Sequence, residues 1–227
     1  MKRKIWVIGN ARMSIGEAVV GELMRRTLLE DTDIIGTGTE VDVRYWSKVV
    51  DFVSDHGPFT DVVYGAGIPS LQYIKDLNRS VVTALFEINV MGFMAVMHAL
   101  VNNQEKGNVV ALVSDSSHVA MRGSIAYCTS KAALHQAVRV AARELAPDWR
   151  VNGVSPSIVA GTRMTDYIDV TVPEFRGWTS EQAKQYEQQS VPMGRRASKS
   201  EVADVICDVL FGPEFMTGSI VEMTGGK

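Results

Sequence analysis

The fold is decided by one stretch near the start of the chain, IWVIGNARMSIG at residues 5–16. Its first four residues, Ile5–Ile8, are all apolar and end at Gly9, which is typical of a short strand that is buried on both faces. A helix is predicted to follow at Ile15–Leu29, and its apolar stripe consists of Ala18, Val19, Leu23 and Leu28. The stretch therefore indicates a strand, a tight turn and a helix in succession.

The same alternation of short apolar runs and longer helical patterns continues along the sequence. Further strands are predicted at Asp33–Ile35, Glu40–Val43, Asp61–Tyr64, Asn108–Val113, Arg150–Val154 and Ile220–Glu222. Further helices are predicted at Val49–Val53, Val81–Val101, Ala126–Leu145 and between Ser198 and Gly212. This alternation predicts an α/β fold with a single doubly wound parallel sheet, the Rossmann fold, and helices on both faces. No composition break divides residues 1–227, so one domain is expected.

The overall composition excludes several classes of protein. The 227 residues are 46% hydrophobic and 22% charged, with a formal net charge of −3. A chain of this composition is too apolar to be disordered, and its mild negative charge argues against nucleic acid as the main partner. The two cysteines, Cys128 and Cys207, have no metal-ligand spacing, so we expect reduced thiols and no metal site.

No targeting or membrane-spanning segment is evident in the sequence. The apolar run Ile5–Ile8 is too short for the hydrophobic part of a signal peptide. The most apolar stretch, Val90–Met97, is far shorter than the ~20 residues that span a bilayer. We therefore expect a cytoplasmic protein that does not bind membranes.

The turn at residues 9–16 is a candidate phosphate-binding loop. Backbone N–H groups in a glycine-rich turn at the N-terminus of a helix can approach a pyrophosphate closely. This turn is poor in glycine. Asn10 adopts a left-handed conformation more readily than most residues, whereas Ser14 adds a side chain where bulk is unfavourable. Taken alone, the loop is equally consistent with a nucleotide site and with an ordinary strand–helix connection.

A tyrosine and a lysine four residues apart, Tyr127 and Lys131, share one face of the helix predicted at Ala126–Leu145. A neighbouring ammonium favours the phenolate and so lowers the pKa of the phenol from its usual value of about 10. The pair is therefore suited to proton transfer near neutral pH. Ser114, 13 residues before Tyr127 and at the end of a predicted strand, makes a catalytic group more plausible than a surface Tyr–Lys pair.

Asn89 lies within the apolar helix predicted at Val81–Val101. A polar amide in a buried helix needs a hydrogen-bonding partner, so this residue is either a satisfied core side chain or a functional one. Further along, Val159–Met193 has no clean periodicity and is rich in Thr, Gln, Tyr and Trp. It is too long for a simple connection, so a loop or a lid over a substrate pocket is predicted there.

Together these residues resemble the short-chain dehydrogenase/reductase family, and the resemblance runs from Lys4 to Gly226. The family's glycine loop is kept in part at Gly9–Gly16, with Asn10 and Ser14 at two of its glycine positions. The family's catalytic tetrad corresponds to Asn89, Ser114, Tyr127 and Lys131. The tetrad match is specific, whereas the loop alone would not identify the family.

The resemblance implies an NAD(P)-dependent oxidoreductase that interconverts a carbonyl and an alcohol in a small molecule by hydride transfer. Tyr127 would be the general acid/base, and Ser114 would bind the substrate oxygen. Lys131 would bind the nicotinamide ribose and lower the pKa of Tyr127, and Asn89 would position a water in a proton relay. The resemblance also implies a homo-oligomer, either a tetramer or a dimer, for which the helix Val81–Val101 is a candidate interface.

By the same resemblance, a set of residues would bind the cofactor. They are Gly9, Asn10, Arg12, Ser14, Ile15, Gly16, Thr37, Asp42, Val43, Gly65, Ala66, Gly67, Tyr127, Lys131, Pro156, Ser157, Val159 and Thr162. An acid at the end of the second strand would select NAD through the ribose 2′-hydroxyl, but residues 36–39 read GTGT. Because Arg12 and the threonine hydroxyls suit a 2′-phosphate, NADP(H) is favoured over NAD(H).

Two alternatives to this function remain at the level of sequence. The first is a cofactor-binding regulator or scaffold of the same fold, which the weakened glycine loop favours and the complete tetrad opposes. The second is a sugar-nucleotide epimerase, which shares the tyrosine and lysine spacing. The chain lacks room for the additional C-terminal substrate domain of such enzymes.

Overall fold

The computed structural model describes residues 2–27 and 31–227. Within these residues, six parallel strands form one sheet in the spatial order β2-β1-β3-β4-β5-β6. The strands are β1 (Arg3–Ile8), β2 (Thr32–Thr37), β3 (Asp61–Tyr64), β4 (Gly107–Leu112), β5 (Trp149–Pro156) and β6 (Ile220–Met223). The order reverses direction at β1, so the crevice beside β1 and β3 is a topological switch point at which ligands bind.

Helices cover both faces of this sheet. They are α1 (Ile15–Arg26), α2 (Trp46–His56), α3 (Arg79–Phe86), α4 (Gly92–Asn103), α5 (Ile125–Leu145), α6 (Arg163–Arg176), α7 (Ser180–Ser190) and α8 (Lys199–Leu210). Alternate residues of β1 point to opposite faces. Trp6 and Ile8 join the core beneath α2, α4 and α5, whereas Ile5 and Val7 join the core beneath α1 and α8. The fold predicted from the sequence is confirmed.

The strand predicted at Glu40–Val43 is wrong, because this segment forms bends and a turn between β2 and α2. Two acidic side chains of the segment fold back onto backbone N–H groups on either side of it, which stabilises the bends and the turn. Glu40 accepts from the N–H of Gly38 at 2.7 Å, and Asp42 accepts from the N–H of Arg44 at 3.1 Å. Val41 and Val43 are nevertheless buried, which explains why the sequence resembles a strand.

The helix predicted at Ile15–Leu29 begins at Ile15, but the described part ends at Arg26, with Thr27 as the C-terminal cap. Leu28 and Leu29 lie outside the described residues. The helix predicted at Val49–Val53 is longer than expected and occupies Trp46–His56. The helix predicted at Ala126–Leu145 is confirmed almost to the residue.

The apolar helix predicted at Val81–Val101 extends over Arg79–Asn103, where a π-helical segment at Glu87–Met91 separates α3 from α4. In the described part of the chain it is the one helix that is long and apolar enough to cross a membrane. Core helices of soluble proteins meet the same criterion, and α4 buries Phe93, Val96 and Leu100 against the sheet. Its composition is therefore explained by its place in the core.

The segment Val159–Met193 is mostly helical, so the loop predicted there is wrong in its secondary structure. Both of its helices begin at a capping box. Thr162 pairs with Thr165 at the start of α6, and Thr179 pairs with Gln182 at the start of α7. Helix α7 buries none of its residues, which is why no apolar period marks it in the sequence.

Candidate active site

The carboxyl ends of β1, β3, β4 and β5 meet at one edge of the sheet. Gly65, directly after β3, donates its N–H to the carbonyl of Ile8 at 2.9 Å, and Val113 after β4 donates to Val154 at 2.8 Å. These short connections bring the residues that follow each strand close together. The loop after β4 supplies Ser114, and helix α5 supplies Tyr127 and Lys131.

The phenol of Tyr127 lies beneath the first turn of α6. Its hydroxyl is 3.7 Å from the sulfur of Met164. The pKa of Tyr127 is raised to about 12, chiefly by burial; hydrogen bonding to Ser114 opposes the rise, and the carboxylate of Asp115 adds to it. The net change is opposite to the lowering of the Tyr127 pKa that the sequence predicted, because burial outweighs the groups that favour the phenolate. The phenol is therefore protonated at neutral pH, the state required of a proton donor.

Lys131 is buried, with only 3% of its surface exposed. Its Nζ donates to the carbonyl oxygen of Leu112 at 3.0 Å and lies 5.9 Å from the centre of the Tyr127 ring. Burial lowers the pKa of Lys131 to about 8. The ammonium is thus mostly charged at neutral pH. Only the charged form of Lys131 can favour the phenolate of Tyr127, as the sequence predicted.

Ser114 is buried at the end of β4, where its hydroxyl belongs to a small polar cluster. Its Oγ is within donating distance of Asp115 Oδ1 at 3.3 Å and of Ser116 Oγ at 3.1 Å. It also accepts from the backbone N–H of Ser116 at 3.2 Å. Ser114 also favours the phenolate of Tyr127, since it lowers the pKa of that phenol.

Asn89 is fully buried in the π-helical segment, a local distortion that is frequent at functional sites. Its Oδ1 accepts from the N–H of Ile68 at 2.9 Å, and its Nδ2 donates to Ser130 Oγ at 3.0 Å. A Cβ added at Gly67 would lie 3.4 Å from Asn89 Oδ1 and 3.5 Å from Lys131 Nζ. The four predicted catalytic residues therefore occupy one site, and Asn89 also fixes the loop that follows β3.

The glycine loop is built around very close backbone contacts. Gly9 has a φ of +84°, and a Cβ at this position would lie 2.7 Å from the carbonyl carbon of Gly65. A Cβ at Gly16 would lie 2.6 Å from the carbonyl oxygen of Gly9. Only glycine fits at these two positions, so the turn packs its backbone tightly between the residue after β3 and the first turn of α1.

The two departures from a glycine-rich loop have structural explanations. The side chain of Asn10 rests on Gly36 of β2, where a Cβ would overlap its amide. Ser14 caps α1 by accepting from the N–H of Glu17 at 3.0 Å, and it also accepts from the N–H of Ala11 at 3.2 Å. Where the family has flexible glycines, Asn10 and Ser14 therefore hold the loop by side-chain contacts. The loop still lies at the switch point of the sheet.

The adenine end of the predicted cofactor site contains three residues with distinct environments. Arg12 is exposed and forms no ion pair with the described residues. Thr37 is buried, and its Oγ1 accepts from the indole of Trp6 at 2.9 Å. Asp42 is paired with Arg44 at 2.6 Å, which lowers the pKa of the Asp42 carboxyl. The hydroxyl of Thr37 is thus less available for a phosphate than the sequence implies.

Sequence reasoning missed Glu40 at this end of the site. Neither Gly38 nor Thr39, which follow β2 directly, is acidic. The next residue is Glu40, and its carboxylate folds back to accept a hydrogen bond from the N–H of Gly38. A Cβ at Gly38 would lie 3.2 Å from both Glu40 Oε2 and the carbonyl oxygen of Asn10. An acidic group therefore lies beside the glycine loop after all, through a contact that strand prediction could not reveal.

The remaining predicted cofactor residues surround the same edge. Ala66 packs against the core beneath α4, and Val43 lies against Gly92. Ser157 follows Pro156 at the end of β5 and accepts from Lys227 Nζ at 2.9 Å. Residues Ile15, Val159 and Thr162 lie at the start of α1, in the connection after β5 and at the cap of α6. Buried Lys131, the close-packed glycines and the N-terminus of α1 lie together at this edge, an arrangement that suits a dinucleotide.

Comparison with known proteins assigns the chain. The model of the family described as Enoyl-(Acyl carrier protein) reductase matches residues 31–227. Sorbitol-6-phosphate 2-dehydrogenase of Klebsiella pneumoniae is 29% identical over 208 residues, which cover 85% of this chain and 77% of that protein. D-Erythrulose reductase of Gallus gallus is 30% identical over 198 residues, covering 82% and 74%. The chain belongs to the short-chain dehydrogenase/reductase family.

Solved structures show the same fold across the whole chain. NAD⁺-bound xylitol dehydrogenase has a TM-score of 0.85 at 23% identity and covers 99% of this chain and 98% of its own. A small-chain dehydrogenase in complex with NADPH has a TM-score of 0.84 at 19% identity, with coverage of 100% and 98%. As a short-chain dehydrogenase/reductase, this protein is an NAD(P)-dependent oxidoreductase. The names of its relatives favour a catalytic protein over a regulator or scaffold of the same fold.

Proposed function

We propose that this enzyme reduces a carbonyl group of a sugar-like substrate to an alcohol, and catalyses the reverse oxidation, with Tyr127 as the general acid/base. One observation carries the proposal. The protonated phenol of Tyr127 lies at the carboxyl edge of the sheet, where Ser114 lowers its pKa and the buried Lys131 ammonium lies 5.9 Å from the centre of its ring. This arrangement can deliver a proton to an oxygen atom in a site that water enters poorly.

Each residue has a separate part in this proposal. Tyr127 donates its proton to the carbonyl oxygen during reduction and takes it back during oxidation. Ser114 hydrogen-bonds the same oxygen, and Lys131 favours the phenolate that remains after donation. Asn89 holds the loop after β3 and the first turns of α5 together, next to the water relay that we assign to it. The nicotinamide cofactor, when bound, supplies the hydride.

The substrate class rests on the relatives. Those named above act, by their names, on sorbitol 6-phosphate and D-erythrulose, which are polyhydroxylated carbonyl or alcohol compounds. Met164 of α6 lies directly over the phenol of Tyr127. We therefore propose that the segment Val159–Met193 forms the substrate lid.

We propose NADP(H) as the preferred cofactor, with Arg12 as the ligand of the 2′-phosphate. Arg12 supports this choice because it is exposed, lies within the glycine loop and has no carboxylate partner among the described residues. Glu40 opposes it, since a carboxylate beside the same loop suits a ribose 2′-hydroxyl. The Arg12→Ala and Glu40→Gln variants separate the two influences, because the first should weaken NADPH binding selectively and the second should weaken NADH binding selectively.

The decisive experiment combines binding and turnover. Fluorescence titration with NADH and NADPH measures the two affinities, and a panel of ketoses and polyols is then screened by the absorbance of the reduced nicotinamide. Tyr127→Phe should lose at least a hundredfold in kcat while it keeps its cofactor affinity. Full activity in Tyr127→Phe would contradict the proposed role, and binding of neither dinucleotide would contradict the function itself.

The cellular compartment and the oligomeric state are also part of the proposal. We propose a cytoplasmic homo-oligomer, a tetramer or a dimer, that has no membrane or nucleic-acid partner. Exposed methionines on the long apolar helix support a subunit interface, since Met91 and Met94 are 46% and 44% exposed. Sedimentation analysis of the wild type and of Met91→Glu/Met94→Glu tests it, because the charged variant should dissociate.

A further inference from the structure

The proposed substrate lid begins and ends near one point beside the sheet. Val159, which follows β5, forms an isolated parallel bridge with Ala197. The N–H of Ala160 donates to the carbonyl of Ala197 at 2.8 Å, and the N–H of Ala197 donates to the carbonyl of Ile158 at 3.2 Å. Residues 160–196 therefore leave and return at this bridge, and they carry α6 and α7 between their two ends. We call this bridge the base of the lid.

Arg196, the last residue before the base of the lid, forms ion pairs with both helices. Its Nε donates to Glu187 Oε1 of α7 at 2.6 Å, and its Nη2 donates to Glu187 Oε2 at 2.8 Å. Its Nη1 donates to Asp169 Oδ2 of α6 at 3.0 Å, and Nη2 also donates to Asp169 Oδ1. The planar guanidinium thus binds two carboxylates, each through two hydrogen bonds, a geometry that a lysine ammonium could not supply.

This cluster of three charges is partly shielded from solvent. The side chains of Arg196 and Glu187 are only 23% and 22% exposed, whereas that of Asp169 is 51% exposed. Both carboxylates contact the same cation, so its removal would leave two negative charges side by side. Helix α7 buries none of its residues, so apolar packing contributes little to its position. The guanidinium therefore contributes strongly to holding α7 against α6 and against the base of the lid.

Helix α6 connects the cluster to the proposed chemistry. Its second residue, Met164, lies over Tyr127, with the sulfur 3.7 Å from the phenol oxygen. Asp169 follows on the same helix, about 8 Å further along its axis. Because a helix is rigid over such a distance, a contact that fixes Asp169 also fixes the residue that covers the phenol.

We propose that Arg196 is a positioning residue: by joining Asp169 and Glu187 to the base of the lid, it holds α6 and α7 over the substrate site at Tyr127. This role rests on the proposed function of Tyr127 and of the lid, and it goes beyond them by naming the group that keeps the lid in place. Arg196 itself touches neither the substrate nor the cofactor in this role.

The first test is the steady-state kinetics of the full chain with an uncharged ketose or polyol and saturating cofactor. Arg196→Met should raise KM for the substrate about three- to tenfold and change kcat less than about twofold, because substrate binding is weakened while the reacting groups are unaltered. Arg196→Lys should recover part of the loss, since an ammonium is a point charge without the guanidinium fork. The matched control is Arg195→Met. Arg195 pairs with Glu201 of α8 at 2.7 Å, outside the lid, so its loss should leave KM unchanged.

A double variant shows whether the effect is electrostatic. In Arg196→Met the two carboxylates repel each other, so Arg196→Met/Glu187→Gln should have a KM no higher than that of Arg196→Met. Glu187→Gln alone should raise KM, because the guanidinium loses its charged partner on α7. A double variant whose KM exceeds that of Arg196→Met would overturn the inference.

Limited digestion with trypsin, followed by mass spectrometry, tests the position of the lid without turnover. Arg176 ends α6 and Lys184 lies within α7, so both cleavage sites belong to the lid. Cleavage at these two sites should be severalfold faster in Arg196→Met than in the wild type or in Arg195→Met, because cleavage requires local opening.

The outcomes distinguish the inference from the proposed function. Unchanged cleavage in Arg196→Met, faster cleavage with an unchanged KM, or an equal rise of KM in Arg195→Met would overturn the inference while leaving Tyr127 as the acid/base. An inactive wild type or a fully active Tyr127→Phe would instead overturn the proposed function. Should Arg196→Met fail to fold, Glu187→Gln decides the outcome, because an unchanged KM there also overturns the inference.

Discussion

The ammonium of Lys131 donates a hydrogen bond to the carbonyl oxygen of Leu112 at 3.0 Å, across the junction between α5 and the last residue of β4. The contact fixes a cation inside the protein at the edge where the chemistry is proposed. Burial lowers the pKa of Lys131 to about 8, so the charged form is less stable in the folded protein than in the unfolded chain. A residue kept charged at this energetic cost is better explained by function than by stability.

Replacing Lys131 should therefore stabilise the protein while abolishing activity. At pH 7 the pKa difference from 10.5 to about 8 corresponds to a penalty of about 3 kcal/mol, partly offset by the hydrogen bond to Leu112. We expect Lys131→Met to raise the free energy of unfolding by about 2 kcal/mol in urea titrations at pH 7. The unfolded chain holds more protons than the folded one between pH 8 and 10.5, so wild-type stability rises with pH there and the difference shrinks. An Lys131→Met variant that is less stable at pH 7 would contradict this account.

Gly9 should be the least replaceable residue of the cofactor loop. Alanine would combine a left-handed backbone with a Cβ placed 2.7 Å from the backbone of Gly65. We expect Gly9→Ala to lose about 2 kcal/mol or more of stability and to weaken the binding of NADPH and NADH alike. Gly21 of α1 provides the matched control, since no atom of residues 2–27 or 31–227 lies within 4 Å of its added Cβ and alanine should stabilise the helix by up to about 1 kcal/mol. Thermal unfolding and cofactor fluorescence measure both variants, and equal behaviour of the two would refute the argument.

The central strands could be predicted because strands buried on both faces form continuous apolar runs. The strand predicted at Glu40–Val43 was wrong for the same reason. Val41 and Val43 are buried, but the side chains of Glu40 and Asp42 accept hydrogen bonds from N–H groups in the adjoining bend and turn. In the central strands and in the segment at residues 40–43 alike, the apolar residues of the sequence indicate burial. They do not indicate which partners the backbone N–H and C=O groups bind.

Helical spacing alone places Tyr127 and Lys131 on one face, whereas the assignment of all four proposed catalytic residues depended on the resemblance to the family. Long-range contacts could not be predicted in the same way. Asp115 and Lys227 form an ion pair at 3.5 Å although they are 112 residues apart, and no local signal connects them. The approach of Asn10 to Gly36 likewise depends on how β2 lies beside β1.

Asn89 should matter for stability as well as for the proposed relay. Its amide satisfies the N–H of Ile68 and the hydroxyl of Ser130, and both lose a buried partner in Asn89→Ala. We expect this variant to lose about 2 kcal/mol of stability. The control is Asn102→Ala: among the described residues its exposed amide contacts only His98, so its loss should change the midpoint of chemical unfolding little. If Asn89→Ala retained both wild-type stability and kcat, neither role could be sustained.

The C-terminal end of α6 should control substrate affinity through its contact with two loops near the active site. The rings of Phe175 and Tyr73 are stacked with centroids 4.0 Å apart, and the hydroxyl of Tyr73 donates to the carbonyl of Phe175 at 3.3 Å. Gly123 has a φ of +83°, and a Cβ there would lie 2.4 Å from the Phe175 ring. We expect Gly123→Ala to displace the end of α6 and to raise KM for substrate severalfold, with little change in cofactor affinity.

A substitution at Gly177 is the control that distinguishes the loss of this contact from the effect of backbone strain. It too has a positive φ, at +68°, but no atom lies within 4 Å of its added Cβ. Gly177→Ala should therefore carry only the left-handed backbone cost of about 1–2 kcal/mol, with KM unchanged. In the double variant Gly123→Ala/Phe175→Ala the steric conflict is removed, so the effect of the added methyl group should be smaller than in the presence of the ring. Equal KM values for Gly123→Ala and Gly177→Ala in steady-state kinetics would show that α6 does not act as the substrate lid.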